Sequence, residues 1–267
     1  MPSIAELCDD LRQEHESLDR VVGNLSPRQW DQPTPAAGWD VRDTISHLCF
    51  FDEAATLAIE DPPGFEKWRD ELVGNMSGGS TPDVDIGREL GDNQLLLGRW
   101  RQSRERFVEI AGAAGAGPKP PRIAWFGPPM SLASFVTARI METWAHGVDI
   151  RDGLDLALTP DADSSRLRHV CHLAYGARAF TFAAHGVPDP GDPVSFEVSA
   201  PDGSTWTWGP EDAVERITGT ALEIALVFTQ RRHPSRTSVR ARGATAETWL
   251  SIAQAFAGPP TVTPEDR

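Results

Sequence analysis

Along residues 4–25, apolar side chains return at Ile4, Leu7, Leu11, Leu18, Val21, Val22 and Leu25 with charges between them. Spacings of three and four predict an amphipathic helix, ended by Ser26-Pro27. A second helix is expected over 40–59, with Val41, Ile45, Leu48, Phe51, Ala55 and Leu57 as its apolar side and Pro62-Pro63 as its stop. The Gly- and Ser-rich stretch 74–82 reads as a surface loop. Residues 86–114 and 131–151 predict a third and a fourth helix, and four long helices so connected make a bundle.

After Leu154 the pattern changes. One more helix is expected over 164–184, and residues 194–200 then alternate strictly between apolar and polar. Pro201-Asp202-Gly203-Ser204 supplies turn chemistry and 205–208 alternates again, which predicts a hairpin. A further strand is expected over 214–219. Thr220 with Glu223 forms a capping box that opens a helix running through Gln230. A strand over 238–242 and an amphipathic helix over 245–257, closed by Gly258-Pro259-Pro260, complete the chain. The expected fold class is α+β: a four-helix bundle over residues 1–155, then a small α+β domain over 156–267.

At 267 residues the chain can bury a substantial core. Asp and Glu number 39 against 25 Lys and Arg, a formal charge of −14. That balance repels phosphate backbones and argues against a nucleic-acid partner. Cys8, Cys49 and Cys171 lie far apart in apolar surroundings and read as reduced core thiols. No basic stretch followed by an apolar run opens the sequence, and no segment approaches ~20 uninterrupted apolar residues. The expectation is a cytoplasmic protein that does not enter a membrane, a monomer by default with a dimer as the alternative.

Candidate chemistry concentrates in Glu142-Thr143-Trp144-Ala145-His146. A carboxylate and an imidazole four apart lie one above the other on a helix. On a solvated face they would form a weak ion pair. Here Leu132, Phe135, Val136 and Ala138 lie on one side and Ile140, Met141, Trp144 and Val148 on the other, so burial is expected nearly all round. A buried carboxylate needs a partner, and a divalent cation is one. Far upstream, His47 sits between apolar neighbours on the second helix, so one Glu and two His could converge on an ion with an open coordination position. Asp43 is placed to orient His47, and Asp149 to orient His146. His15, among Glu14, Glu16 and Asp19, reads as part of a solvated acidic face. His169 and His172 lack a matching second pair, His185 precedes Gly and Pro at a helix end, and His233 lies beside Pro234 in a loop.

The segment Gly38-Trp39-Asp40-Val41-Arg42-Asp43-Thr44-Ile45-Ser46-His47-Leu48 resembles a motif of the DinB-like superfamily, specifically the N-terminal domain of mycothiol-dependent maleylpyruvate isomerases. Glu142, His146 and Asp149 match that family's second motif, and residues 219–231 resemble the sterol-carrier-like end domain of the same enzymes. The resemblance implies a metal, of zinc type, held by His47, Glu142 and His146. It also implies a functional arginine at Arg231. Gln230 stands where the family usually has glycine and Arg232 follows at once, so either guanidinium fits that role.

The implied activity is isomerisation of, or S-transfer to, an activated unsaturated or carboxylate-bearing small molecule, with mycothiol or a similar small thiol as cosubstrate. A bound dication depresses a thiol's pKa, and Arg231 or Arg232 would clamp a carboxylate or enolate. Trp39, Phe50, Phe51 and Trp144 are candidates to wall the site. Two rival readings stand: a hydrolase with metal-activated water, and a non-catalytic ligand-binding protein whose metal is structural, closed by a fourth ligand such as His15, Asp43 or one of His169 and His172.

Overall fold

The computed structural model describes residues 2–76, 82–158 and 164–265, in two compact units, Met1–Ala157 and Leu158–Arg267. The first contains α1 (Ile4–Val22), α2 (Pro27–Trp30), α3 (Val41–Glu60), α4 (Pro62–Met76), α5 (Pro82–Leu90), α6 (Asn93–Gly115), the two-residue strands β1 (Arg122–Ile123) and β2 (Met130–Ser131), and α7 (Leu132–Gly153). Helix α3 packs on α6, α6 on α1, α1 on α7 and α7 on α3, which closes a four-helix ring. One core cluster joins Leu7, Leu11, Phe107, Phe135 and Ile140, and another joins Leu18, Ile45, Leu48, Trp100 and Ile150.

Local chemistry fixes where these helices start. Ser3 and Glu6 form a capping box on α1, and Asp40 and Asp43 form one on α3. Pro62, expected to stop a helix, also begins α4, because a first-turn proline forfeits no helical hydrogen bond. The single helix expected over 86–114 is two. Gly91 takes a left-handed φ of 63° at the end of α5, and the Asp92 carboxylate accepts the N–H groups of Gln94 and Leu95 to start α6. Of the loop expected over 74–82, residues 77–81 lie outside the described residues, Gly74 belongs to α4, and Pro82 opens α5.

The second unit holds α8 (Leu167–Gly176), α9 (Arg178–Ala184), β3 (Val194–Ser199), β4 (Thr205–Trp208), β5 (Glu215–Thr220), α10 (Ala221–Phe228), β6 (Arg240–Arg242) and α11 (Ala244–Ser251). Its sheet runs β4-β3-β5-β6. Strand β3 is antiparallel to β4 and parallel to β5, with Phe196 opposite Trp208 and Ile217. Phe196, Phe228 and Trp249 meet at ring distances of 5.0–5.7 Å over this sheet. Three expected helices are shorter than the pattern implied. Residues 164–184 divide at Ala177, α10 ends at Phe228, and α11 ends at Ser251, after which the Ala255 N–H bonds to the Phe228 carbonyl at 2.8 Å. Among the described residues no helix is long and apolar enough to cross a membrane.

Candidate metal centre

Helix α7 buries 16 of its 22 residues, including Arg139, His146, Asp149 and Arg151. Charged groups so enclosed need partners. His146 lies between two carboxylates of its own helix: its Nε2 is 3.5 Å from Glu142 Oε2 and its Nδ1 is 3.2 Å from Asp149 Oδ2. From α3, His47 completes the group, and one ligand atom from each of His47, Glu142 and His146 lies within 4.8 Å of the others. The 3.5 Å between His146 and Glu142 is close to the separation of about 3.4 Å that two ligands take on a tetrahedral ion with bonds of ~2.1 Å. The two imidazole rings are 4.7 Å apart, nearly edge to face.

The electrostatics suit a cation. Burial drives the His47 pKa down to about 4, with His146 adding to the effect and Asp83 opposing it, so the ring is neutral at pH 7 and keeps a nitrogen lone pair. Burial alone would raise the Glu142 pKa. The hydrogen bond and charge of His146, helped by Arg139 and His47, outweigh it and bring Glu142 to about 2. Glu142 is therefore an anion across the physiological range.

Each histidine has a carboxylate beside its Nδ1. For His146 that group is Asp149. For His47 it is Asp83, at the start of α5, whose Oδ2 lies 3.0 Å from Nδ1. The expectation that Asp43 would orient His47 is corrected: Asp43 caps α3 and takes two bonds from Arg88, at 3.0 and 3.1 Å. An imidazole with Nδ1 committed to a carboxylate presents Nε2 to an ion.

Beneath the group, Arg139 donates from Nε and Nη2 to Asp52 Oδ1 at 3.1 and 2.9 Å. The side chains are 4% and 0% exposed, and the pair joins α3 to α7, the helices that carry the three residues. Aromatic rings flank His47. Trp39 lies 4.8 Å from it and 5.8 Å from His146, and Phe51 lies 4.6 Å from it on the same helix. Of the other aromatic residues expected as a wall, Phe50 stands beside Phe51 at 5.2 Å, while Trp144 is core.

The remaining histidines stand elsewhere. His15 is 2% exposed rather than on a solvated face. It meets Trp100 edge-on at 6.2 Å, and burial, with the charges of Arg104, Arg139 and Arg12, holds its pKa well below 6.5. In the second unit, His172 Nδ1 accepts from Trp208 Nε1 at 3.2 Å, His185 pairs with Gln254, and the His233 ring accepts the Ser235 N–H. Among the described residues, His47, Glu142 and His146 are the set of His, Cys, Asp or Glu that converges to metal-ligand spacing.

Arg231 and Arg232 follow α10 in the second unit. Gln230 takes a left-handed φ of 62°, and its amide nitrogen donates to the carbonyls of Ala253 and Thr261 at 3.0 and 2.6 Å. These bonds hold a non-glycine residue where glycine is the unstrained choice. Both arginines are half-buried, and each donates from Nη1 to a nearby carbonyl, that of Thr229 for Arg231 and that of Arg231 for Arg232.

The fold of the first unit is a helical bundle whose α3 and α7 bring His47, Glu142 and His146 together, and comparison with known proteins narrows the class. Residues 11–151 match the family described as the mycothiol maleylpyruvate isomerase N-terminal domain, and the chain belongs to that family. It is 42% identical over 251 residues to uncharacterized proteins of Mycobacterium tuberculosis strains H37Rv and CDC 1551, spanning 94% of this chain and 95% of theirs. The crystal structure of a mycothiol-dependent maleylpyruvate isomerase superposes with a TM-score of 0.60 at 14% identity, covering 98% of this chain and all of that one. A histidine-to-alanine mutant of that isomerase gives 0.58. At this identity the likeness shows a shared fold.

Sequence reasoning missed Asp83 and the Asp52–Arg139 pair. Asp83 lies 36 residues from His47 and Asp52 lies 87 from Arg139, so no helical spacing links them. The one available signal was charge itself: an Asp and an Arg inside apolar helical stretches each require a partner.

Proposed function

We propose that the chain is a metal-assisted enzyme that uses a low-molecular-weight thiol to isomerise, or transfer sulfur to, an activated alkene. The observation that carries this reading is the convergence of His47, Glu142 and His146 to within 4.8 Å, in a chain whose family is described by mycothiol-dependent maleylpyruvate isomerisation. Two imidazoles and one carboxylate suit zinc, and three protein ligands leave a coordination position open. When bound, the dication supplies Lewis acidity that favours thiolate over thiol at neutral pH.

The residues of the chain supply the rest. Glu142 offsets the charge of the ion, Asp83 and Asp149 hold the imidazoles in one tautomer, and Trp39 and Phe51 exclude water from one side. The thiolate sulfur adds to an alkene carbon and the π pair moves into the conjugated carbonyl. The former double bond then rotates, and collapse of the enolate expels the thiolate and leaves the trans alkene. If a proton reaches the α-carbon first, the C–S bond persists and the same steps amount to S-transfer. A guanidinium of Arg231 or Arg232 is proposed to bind a substrate carboxylate.

The test is metal content and turnover together. Purified wild-type protein is expected to hold about one zinc per chain, and His146→Ala far less. Zinc-loaded wild type is expected to isomerise maleylpyruvate only when mycothiol is present. Equal metal in the variant removes the ligand assignment, and turnover indifferent to thiol points to hydrolysis by activated water instead.

A further inference from the structure

The aromatic residues beside His47 continue into a longer wall. Phe51 is 6.0 Å from Trp125 and 5.7 Å from Phe126, which lie between β1 and β2. Trp125 in turn stacks on Phe65 at 5.4 Å and meets Phe135 at 4.9 Å. Phe65 and Phe135 are fully enclosed core residues, whereas Trp39, Phe51, Trp125 and Phe126 are each half-buried. The loop is fixed rather than draped, because Arg69 on α4 donates to the Trp125 carbonyl at 3.0 Å. Aromatic surface thus runs from the candidate ligands to the core, with one side committed and the other open.

The charged groups beside this wall are already matched. Arg139, the cation whose field reaches Glu142, is bonded to Asp52. Asp83 faces His47 and Asp149 faces His146. In this unit the wall presents half-buried aromatic surface, which attracts flat, conjugated or apolar groups.

On the reading proposed above, we infer that the site favours an electrophile with an aryl or similarly extended conjugated group, seated on Trp39, Phe51, Trp125 and Phe126, over a compact aliphatic one. The expected substrate class is an aryl-conjugated alkene of the aroylacrylate type.

The zinc-loaded protein with mycothiol is assayed on (Z)-3-benzoylacrylate and on (Z)-3-acetylacrylate, which keeps the ketone and replaces the phenyl by methyl. The expected kcat/KM favours the aryl substrate by about tenfold or more, the scale of one to two aromatic contacts. Phe51→Ala and Trp125→Ala are expected to cut that ratio about tenfold. Phe51→Leu, which preserves core volume, is expected to cut it as well. A ratio near one, or a ratio that survives all three substitutions in folded protein, overturns the inference.

A second measurement stands apart from turnover: calorimetric binding of the unreactive 3-benzoylpropionate against succinate. Aryl binding about tenfold tighter in wild type, and lost in Phe51→Leu, upholds the wall even if no thiol-dependent chemistry is found. Equal affinities refute the wall whatever the chemistry.

Discussion

Replacing Arg139 by methionine removes the only hydrogen-bond donors that Asp52 receives from a charged group among the described residues. Asp52 is 0% exposed and its Oδ1 takes both bonds from the guanidinium. Burial already pushes its pKa up, with Arg139 holding it down. Once that cation is gone, the least costly state of the carboxyl is protonated. Keeping a proton at pH 7 on a group whose unfolded pKa is about 3.9 costs about 4 kcal/mol, from 1.36 kcal/mol per unit over ~3.1 units, and about 1.5 kcal/mol at pH 5. The folded variant then binds the extra proton, so its deficit against wild type shrinks as pH falls. Asp52→Asn behaves differently, because Arg139 has no neutral form within reach: its cost of about 3–5 kcal/mol stays level with pH. The double variant Asp52→Leu/Arg139→Met is expected to lie closer to wild type than the sum of the single losses. Urea unfolding at pH 7, 6 and 5, followed by tryptophan fluorescence, measures all three. Six of the nine tryptophans lie in the N-terminal unit, so the signal reports it. An Arg139→Met penalty below about 1 kcal/mol, or one that does not vary with pH, would refute the reasoning.

Three further outcomes are expected. Asp83→Asn frees the His47 ring and weakens zinc binding by about 10–100-fold in a chelator competition, with the circular dichroism unchanged; undiminished affinity would count against the orienting role. His15 is held neutral by burial, with its folded pKa below the unfolded value of 6.5, so the unfolded chain takes up more protons as pH drops below ~6.5 and stability falls by at most about 1.4 kcal/mol per unit. His15→Phe should flatten that slope in urea titrations between pH 7.5 and 5, and parallel slopes would exclude it. Burial raises all three thiols, Cys49 to about 12 with Glu53 contributing, so a disulfide reagent at pH 8 should label cysteines only after denaturation; rapid labelling of native protein contradicts this.

The long helices of the bundle were legible because their apolar positions keep helical period and their ends carry local caps. Breaks inside a continuing period were not. Gly91-Asp92 ends one helix and starts the next without interrupting the run of apolar residues from Ile86 onward. The Glu142–His146 relation could be read directly, since it is set by one helix. His47 entered through its apolar helical setting, and a motif then supported it. Its partner Asp83 depends on how α5 docks against α3, which no window of sequence encodes. His15 misled because its acidic neighbours suggested solvent, although Glu14 is itself 2% exposed. Flanking charge reports composition, whereas exposure is decided by which face meets α6 and α7.

His47 and Glu142 stand 95 positions apart in the chain, on different helices. An ion held at both ends of that span, as proposed above, would be a cross-link that forms only in the native arrangement, and it would draw the folding equilibrium toward that state by mass action. On the proposed reading, withholding the ion would raise the unfolded population and speed its proteolysis.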